Sequence, residues 1–243
     1  MKLFVCSDVH GNVRALDAVL AAWKEFSPCR FLFLGDAVGY GAHPDACLER
    51  LLAVPRAQLV MGNHDRAVLD LSERKTFNRN AFTAIEWTVD KLQGKYNEIF
   101  VRKFEMTIEC GEFLAAHGSP VFPEEFTYIF SIYDAEKVFQ KFDFSLCFVG
   151  HTHVPLVYTD IGGPKSLEPG KSFALDASGR YIINPGSVGQ PRDGDNRASF
   201  LIFDPDEKTI TLHRRDYDIE AEAKDIKDAG LPERFAERLF KGQ

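Results

Sequence analysis

Several features are scarce or missing in this chain of 243 residues. No apolar run approaches the ~20 residues that a membrane-spanning helix needs, so no membrane partner is expected. The five cysteines, Cys6, Cys29, Cys47, Cys110 and Cys147, are odd in number and include no C-x-x-C pair. That argues against a disulfide framework, and they read as small buried hydrophobes in a reducing compartment. None sits at a strand tip beside a base, so cysteine nucleophile chemistry fits poorly. Positive charge is in the minority: 29 Lys and Arg face 36 Asp and Glu, a net charge of −7. Broad attraction to nucleic acid or an anionic surface is therefore not expected, and an anionic substrate would be held by local charge. The first residues enter a strand pattern directly, without a basic-then-apolar leader, and the expected location is cytoplasmic. Repeats, heptads and linkers are also missing. At 45% hydrophobic content the chain suits one sizeable α/β core, so 1–243 is expected as one domain.

What the chain does have is a set of apolar runs that end in polar tips. Leu3-Phe4-Val5-Cys6-Ser7 leads to Asp8-Val9-His10, and Arg30-Phe31-Leu32-Phe33-Leu34 to Gly35-Asp36. Leu59-Val60-Met61 precedes Gly62-Asn63-His64-Asp65, and Phe113-Leu114-Ala115-Ala116 precedes His117-Gly118. Leu146-Cys147-Phe148-Val149 precedes Gly150-His151-Thr152-His153. Each is a strand-length run closing on Gly, His, Asp or Asn. Open α/β sheets place their ligands at the C-terminal ends of such strands. Imidazole, carboxylate and amide oxygen are ligands of divalent ions, and Asp8, His10, Asp36, Asn63, His117, His151 and His153 supply enough for two.

These blocks, in this order, resemble the calcineurin-like metallophosphoesterase superfamily over residues 1 to about 200. The stretches Val38-Gly39-Tyr40-Gly41 and Asn184-Pro185-Gly186-Ser187-Val188-Gly189 are similar to its small bacterial and archaeal phosphodiesterase branch. The resemblance implies a four-layer αββα sandwich of two mixed sheets flanked by helices. It implies that Asp8, His10, Asp36 and His153 hold one metal, and Asp36, Asn63, His117 and His151 the other, with Asp36 shared. The metals implied are Mn, Fe or Zn, with Ni or Co able to fill the site in vitro. A hydroxide bridging two such ions would exist at neutral pH and attack phosphorus in line, while His64 would protonate the leaving alkoxide. In the phosphoprotein phosphatases of the superfamily the Gly-Asp block continues to an Asp and an Arg. Here Gly39 and Tyr40 stand there, so a protein phosphatase reading is weakened and His64 has no assigned orienting partner. Asn12 and Arg192 are candidate phosphate contacts, although Arg192 could instead pair with Asp193 or Asp195. His43 and His213 lie outside the blocks and read as structural.

Along the chain, strands and helices alternate up to His64, as in a mostly parallel sheet. Asn12 is a candidate helix cap. A helical insertion is expected at about 66–100, with apolar spacing from Phe82 to Leu92. Phe104 to Cys110 and Glu112 to Ala116 read as a hairpin. The aromatics Phe122, Phe126, Tyr128, Phe130 and Tyr133 read either as loop packing or as a lid that stacks on a base. After His153 the rhythm changes to short strands, read as a meander forming a second sheet. Glu220, Glu222, Lys224, Asp225, Lys227 and Asp228 read as a solvated face within C-terminal helices at about 219–240.

The expected function is a metal-dependent phosphodiesterase acting on a small phosphate ester or nucleotide. The alternatives are a phosphomonoesterase or protein phosphatase-like activity, a non-catalytic scaffold like the retromer subunit that resembles this family, and a DNA nuclease, which the acidic balance disfavours.

Overall fold

The computed structural model describes residues 1–243. β1 (Leu3–Cys6) feeds α1 (Val13–Phe26), whose first turn is capped by Asn12 as its side-chain oxygen accepts from the Ala15 N–H at 3.0 Å. β2 (Arg30–Phe33) leads to α2 (Pro44–Leu52), which carries proline in its first turn, where no N–H is needed. After β3 (Gln58–Val60) come α3 (Asn63–Leu69), α4 (Leu71–Arg74), α5 (Arg79–Leu92) and α6 (Asn97–Lys103). Asn78 caps α5 by accepting from the N–H groups of Asn80 and Ala81, so the helix begins ahead of the apolar spacing that starts at Phe82.

The run from Phe104 to Cys110, one strand by pattern, is two. β4 (Phe104–Glu105) pairs with β3, whereas β5 (Thr107–Cys110) forms a hairpin with β6 (Phe113–Ala116) in the other sheet. An apolar run carries no mark of such a switch when both sheets are covered on both faces. α7 (Ile132–Lys141) follows, then β7 (Leu146–Phe148), β8 (Leu156–Thr159), β9 (Lys165–Ser166) and β10 (Ser172–Ala174). β11 (Tyr181–Asn184), β12 (Ala198–Asp204) and β13 (Thr209–Arg215) precede α8 (Ile219–Asp228) and α9 (Glu233–Lys241).

One sheet has the order β10-β13-β12-β1-β2-β3-β4 and the other β5-β6-β7-β11-β8-β9. The strands after His153 therefore do not make a sheet of their own. β8, β9 and β11 complete the second sheet, while β10, β12 and β13 extend the first, with β12 antiparallel to β1. The physical reason is burial: Leu201, Phe203, Ile210 and Leu212 share the layer between the sheets with Leu3, Val5, Leu32 and Phe148.

On the outer face of the first sheet, Phe4, Phe31 and Phe33 pack under α1 and α2 through Leu16, Val19 and Leu48. Phe4 lies 4.5 Å from the Phe200 ring, nearly parallel to it. Truncating such a ring to Ala costs about 3–5 kcal/mol. On the outer face of the second sheet, α7 lays Ala135, Val138 and Phe139 on Cys147 and Ile182. The result is a four-layer αββα sandwich. Glu222 departs from the expected solvated face: it is fully buried, accepts from Arg14 Nη1 at 2.8 Å, and burial pushes its carboxyl pKa up. No helix is long and apolar enough to cross a membrane.

Candidate metal centre

β1, β2 and β3 run parallel, as do β6, β7 and β11, and the loops leaving their C-terminal ends meet at one rim. Here the chain is forced into unusual backbone. Asp8, His10, Asp36, His151 and His153 all have left-handed φ, between +50° and +68°. Such strain in non-glycine residues, of order 1–3 kcal/mol each, gathers at functional sites. Gly62 allows the β3 tip to close on its neighbour, since a Cβ there would lie 2.0 Å from Asp36 Oδ1. Asp65 ties the same loops together by accepting from the N–H groups of Asp36, Ala37, Val38 and Gly62. Burial and the nearby Asp36 push its pKa up, and those N–H donors oppose the rise.

The seven candidate ligands converge. Asp8, His10 and His153 place their ligating atoms within 4.8 Å of one another, as do Asp36, His117 and His151, and also His10, Asp36 and His64. Asn63 joins the second group, its Oδ1 lying 3.2 Å from His117 Nε2. Asp36 Oδ2 lies between the groups, 3.6 Å from His10 Nε2 and 3.3 Å from His117 Nε2.

The second partners of the imidazoles set their tautomers. The Nδ1 atoms of His10, His117 and His153 reach the carbonyl oxygens of Val38, Leu34 and Gln190 at 3.2, 2.7 and 2.6 Å. Each Nδ1 thus carries a proton and donates it, which in the neutral ring turns the Nε2 lone pair inward. His10 Nε2 and His153 Nε2 then face each other at 3.0 Å, acceptor against acceptor. His151 is turned the other way, with Nδ1 at 3.1 Å from His117 Nε2. Asp8 Oδ1 is buried without a hydrogen-bond partner, 3.2 Å from His153 Nε2. An unpartnered carboxylate oxygen among inward lone pairs fits a bound cation and little else.

Charge follows from the same contacts. Burial opposes ionisation of Asp8 and Asp36, but the imidazoles around them prevail and hold both carboxyls below the usual range. Burial keeps His10 and His151 well below the ordinary imidazole pKa, and His153 below it. For His117 burial is outweighed by Asp36 and Asp8, and its pKa is pushed up to about 9.

His64 sits beside this group with no polar partner on Nδ1. Aromatic rings place it instead: Phe77 stacks on it at 4.6 Å and Tyr40 meets it edge-on at 4.4 Å. Gly39 completes the cage, for a Cβ there would lie 2.3 Å from His64 Nδ1. Burial lowers the His64 pKa to about 4.

The two candidate phosphate contacts differ. Asn12 is buried and engaged at both ends of its amide, capping α1 and donating from Nδ2 to the Gly189 carbonyl at 2.9 Å, so it braces the rim. Arg192 does not pair with Asp193 or Asp195, which belong to Arg214 and Arg197. Its guanidinium lies by the Tyr40 and Tyr128 hydroxyls, and its charge acts on His10, His64 and His153.

Tyr128, Gln190 and Asp65 also shape the site. Tyr128 stacks on His151 at 3.7 Å, with Phe130 stacked outside it at 4.6 Å. Of these three, Asp65 alone stood inside a recognisable block. His43 pairs with Asp225 at 2.9 Å and His213 stacks on Phe200, both away from the centre.

A family model, the calcineurin-like phosphoesterase superfamily domain, matches residues 1–208. The uncharacterized protein MJ0912 of Methanocaldococcus jannaschii is 40% identical over 242 residues, 98% of this chain and 97% of its own. The crystal structure of a metallophosphoesterase from Sphaerobacter thermophilus is 39% identical, with a TM-score of 0.87 and 100% of both chains covered. The hypothetical protein PH1004 of Pyrococcus horikoshii OT3 shares the fold at 19% identity, with a TM-score of 0.81 over 100% of this chain and 98% of its own. The strand-tip blocks, the sandwich that gathers them and the family match agree, and the chain belongs to the calcineurin-like phosphoesterase superfamily.

Proposed function

We propose that the protein is a metal-dependent phosphodiesterase. The observation that carries this reading is the inward-facing set of carboxylates and imidazole lone pairs, opposed at 3.0 Å between His10 and His153. Asp8, His10, Asp36 and His153 would hold one divalent ion and Asp36, Asn63, His117 and His151 the other. Nitrogen and oxygen donors of this kind accept Mn, Fe or Zn alike. Held by these residues, divalent ions would supply a lowered pKa for bound water and charge to offset the phosphoryl oxygens.

The remaining work falls to the chain. Arg192 presents a guanidinium fork that matches phosphoryl oxygens. His64 delivers a proton to the leaving oxygen. Burial keeps it neutral at rest, so it would take up a proton from solvent as an arriving phosphoryl group brings the negative charge that favours the imidazolium, and pass that proton to the leaving oxygen. The diester preference is supported by the aromatic wall of Tyr128 and Phe130, 38% and 66% exposed beside His151, which offers an apolar surface to a second ester arm. A monoester has no such arm.

The test is hydrolysis of bis-p-nitrophenyl phosphate beside p-nitrophenyl phosphate by chelator-stripped protein reloaded with Mn²⁺, with Asp36→Asn as control. Metal-restored turnover that favours the diester and vanishes in the control supports the reading. Absence of turnover with any metal, despite bound ions, would move it to a scaffold.

A further inference from the structure

Two guanidinium groups converge on one neutral oxygen at the rim of the centre. Arg192 Nη2 donates to Gln190 Oε1 at 3.3 Å, and Arg238 Nη1 donates to the same atom at 3.4 Å. Neither arginine makes an ion pair, although acidic residues are in excess; Asp193 and Asp195 are taken by Arg214 and Arg197. Arg192 Nε is buried without a partner. Burial and the charge of Arg192 both depress the Arg238 pKa, the mark of like charges held together.

The position of Arg238 is set by packing. Its helix, α9, is anchored by buried Phe235, whose ring lies 4.6 Å from Tyr40, and Tyr40 in turn lies 4.4 Å from both His10 and His64. Tyr40 thus stands between α9, which carries Arg238, and the candidate metal centre. The two arginines differ in reach: Arg192 acts on the histidines of the centre, whereas the charges acting on Arg238 are those of Arg192 and Arg234.

Resting on the phosphoesterase reading, we infer that Arg238 and Arg192 form a second anion subsite, and that the preferred substrate carries a second phosphoryl group besides the scissile ester. Arg192 is the shared element and Arg238 the specificity residue. A phosphoryl group has enough acceptor oxygens for both forks and removes the repulsion between them.

The experiment measures inhibition of bis-p-nitrophenyl phosphate hydrolysis by the full-length, Mn²⁺-loaded protein. The inhibitors are adenosine 5′-monophosphate, with one phosphoryl group, and ADP and adenosine 3′,5′-bisphosphate, which carry a second at different spacings. Arg238→Gln should weaken at least one two-phosphoryl inhibitor about tenfold more than it weakens the monophosphate, and Arg238→Lys should restore part of the loss. Lys241→Gln removes the same charge from the exposed end of α9 and should not discriminate between inhibitors. Equal weakening of all three inhibitors by Arg238→Gln, or equal discrimination by Lys241→Gln, overturns the subsite. If no ester is turned over, the phosphoesterase reading fails by itself. Calorimetric titration of the same nucleotides into the same variants then decides the subsite by the same tenfold criterion.

Discussion

His10 Nε2 and His153 Nε2 stand 3.0 Å apart while both Nδ1 atoms are committed to backbone carbonyls. With both rings neutral, two acceptors at this distance are unsatisfied, and a divalent cation bound beside them relieves that opposition in the core. Divalent metal should therefore stabilise the protein and chelation destabilise it. At a hundred times Kd the gain is about 2.7 kcal/mol, or several degrees in Tm for a chain of this length. Thermal melts with Mn²⁺, Zn²⁺ and chelator check this, and coincident melts would remove the metal assignment.

His117 predicts a proton count. Asp36 and Asp8 overcome burial and push its pKa to about 9, so below that value the ring is protonated. Metal binding at its Nε2 needs the neutral ring, so uptake between about pH 7 and 8 should release about one proton from this ring, besides at most one from metal-bound water. The release should fade as pH rises through 9. His10, His151 and His153 add none, because burial already keeps them unprotonated there. Calorimetry in buffers of different ionisation enthalpy reads the number, and release of three or more protons would contradict this account.

His64 and Gly39 form a linked pair of predictions. His64→Ala should lose about 10²–10⁴-fold on esters with poor leaving groups, less on nitrophenyl esters, and keep its metal content. Equal loss on both classes would refute the acid role, and loss of metal would make His64 a ligand instead. Gly39→Ala puts a Cβ 2.3 Å from His64 Nδ1 at a φ of +91°, so it should lower Tm and reproduce the same leaving-group pattern.

The aromatic loop divides between support and recognition. Phe126 is buried, 6% exposed, and meets the His117 ring edge-on, so Phe126→Ala should cost about 3–5 kcal/mol of stability. Tyr128→Ala and Phe130→Ala should leave Tm nearly unchanged and raise KM for nucleotide esters more than for alkyl phosphates. Matched KM values across substrates would assign these rings to packing alone.

The legible part of the site lay in local pattern. Asp8, His10, Asp36, Asn63, His117, His151 and His153 each close an apolar run, and the chain must put such tips at strand ends. Asn12 was legible as a helix cap, and that role already occupies its side chain. The division of β4 from β5 was not legible, because Phe104 and Ile108 are equally apolar in either sheet. Glu222 was misread as solvated, since its spacing on α8 cannot show that Arg14 of α1 waits opposite.

By itself the sequence determined the strand-tip blocks and their order, and through them the resemblance that implied the sandwich and the family, because each block is a short stretch that follows the period of burial. Only the tertiary structure decided that Asp8 Oδ1 has no partner, that Tyr128 stacks on His151, and that Arg238 joins Arg192 on Gln190. Those relations join residues from separate loops and a C-terminal helix. Their distances are set by how the sheets and helices pack to bury apolar surface, a sum over the whole molecule that no local stretch contains.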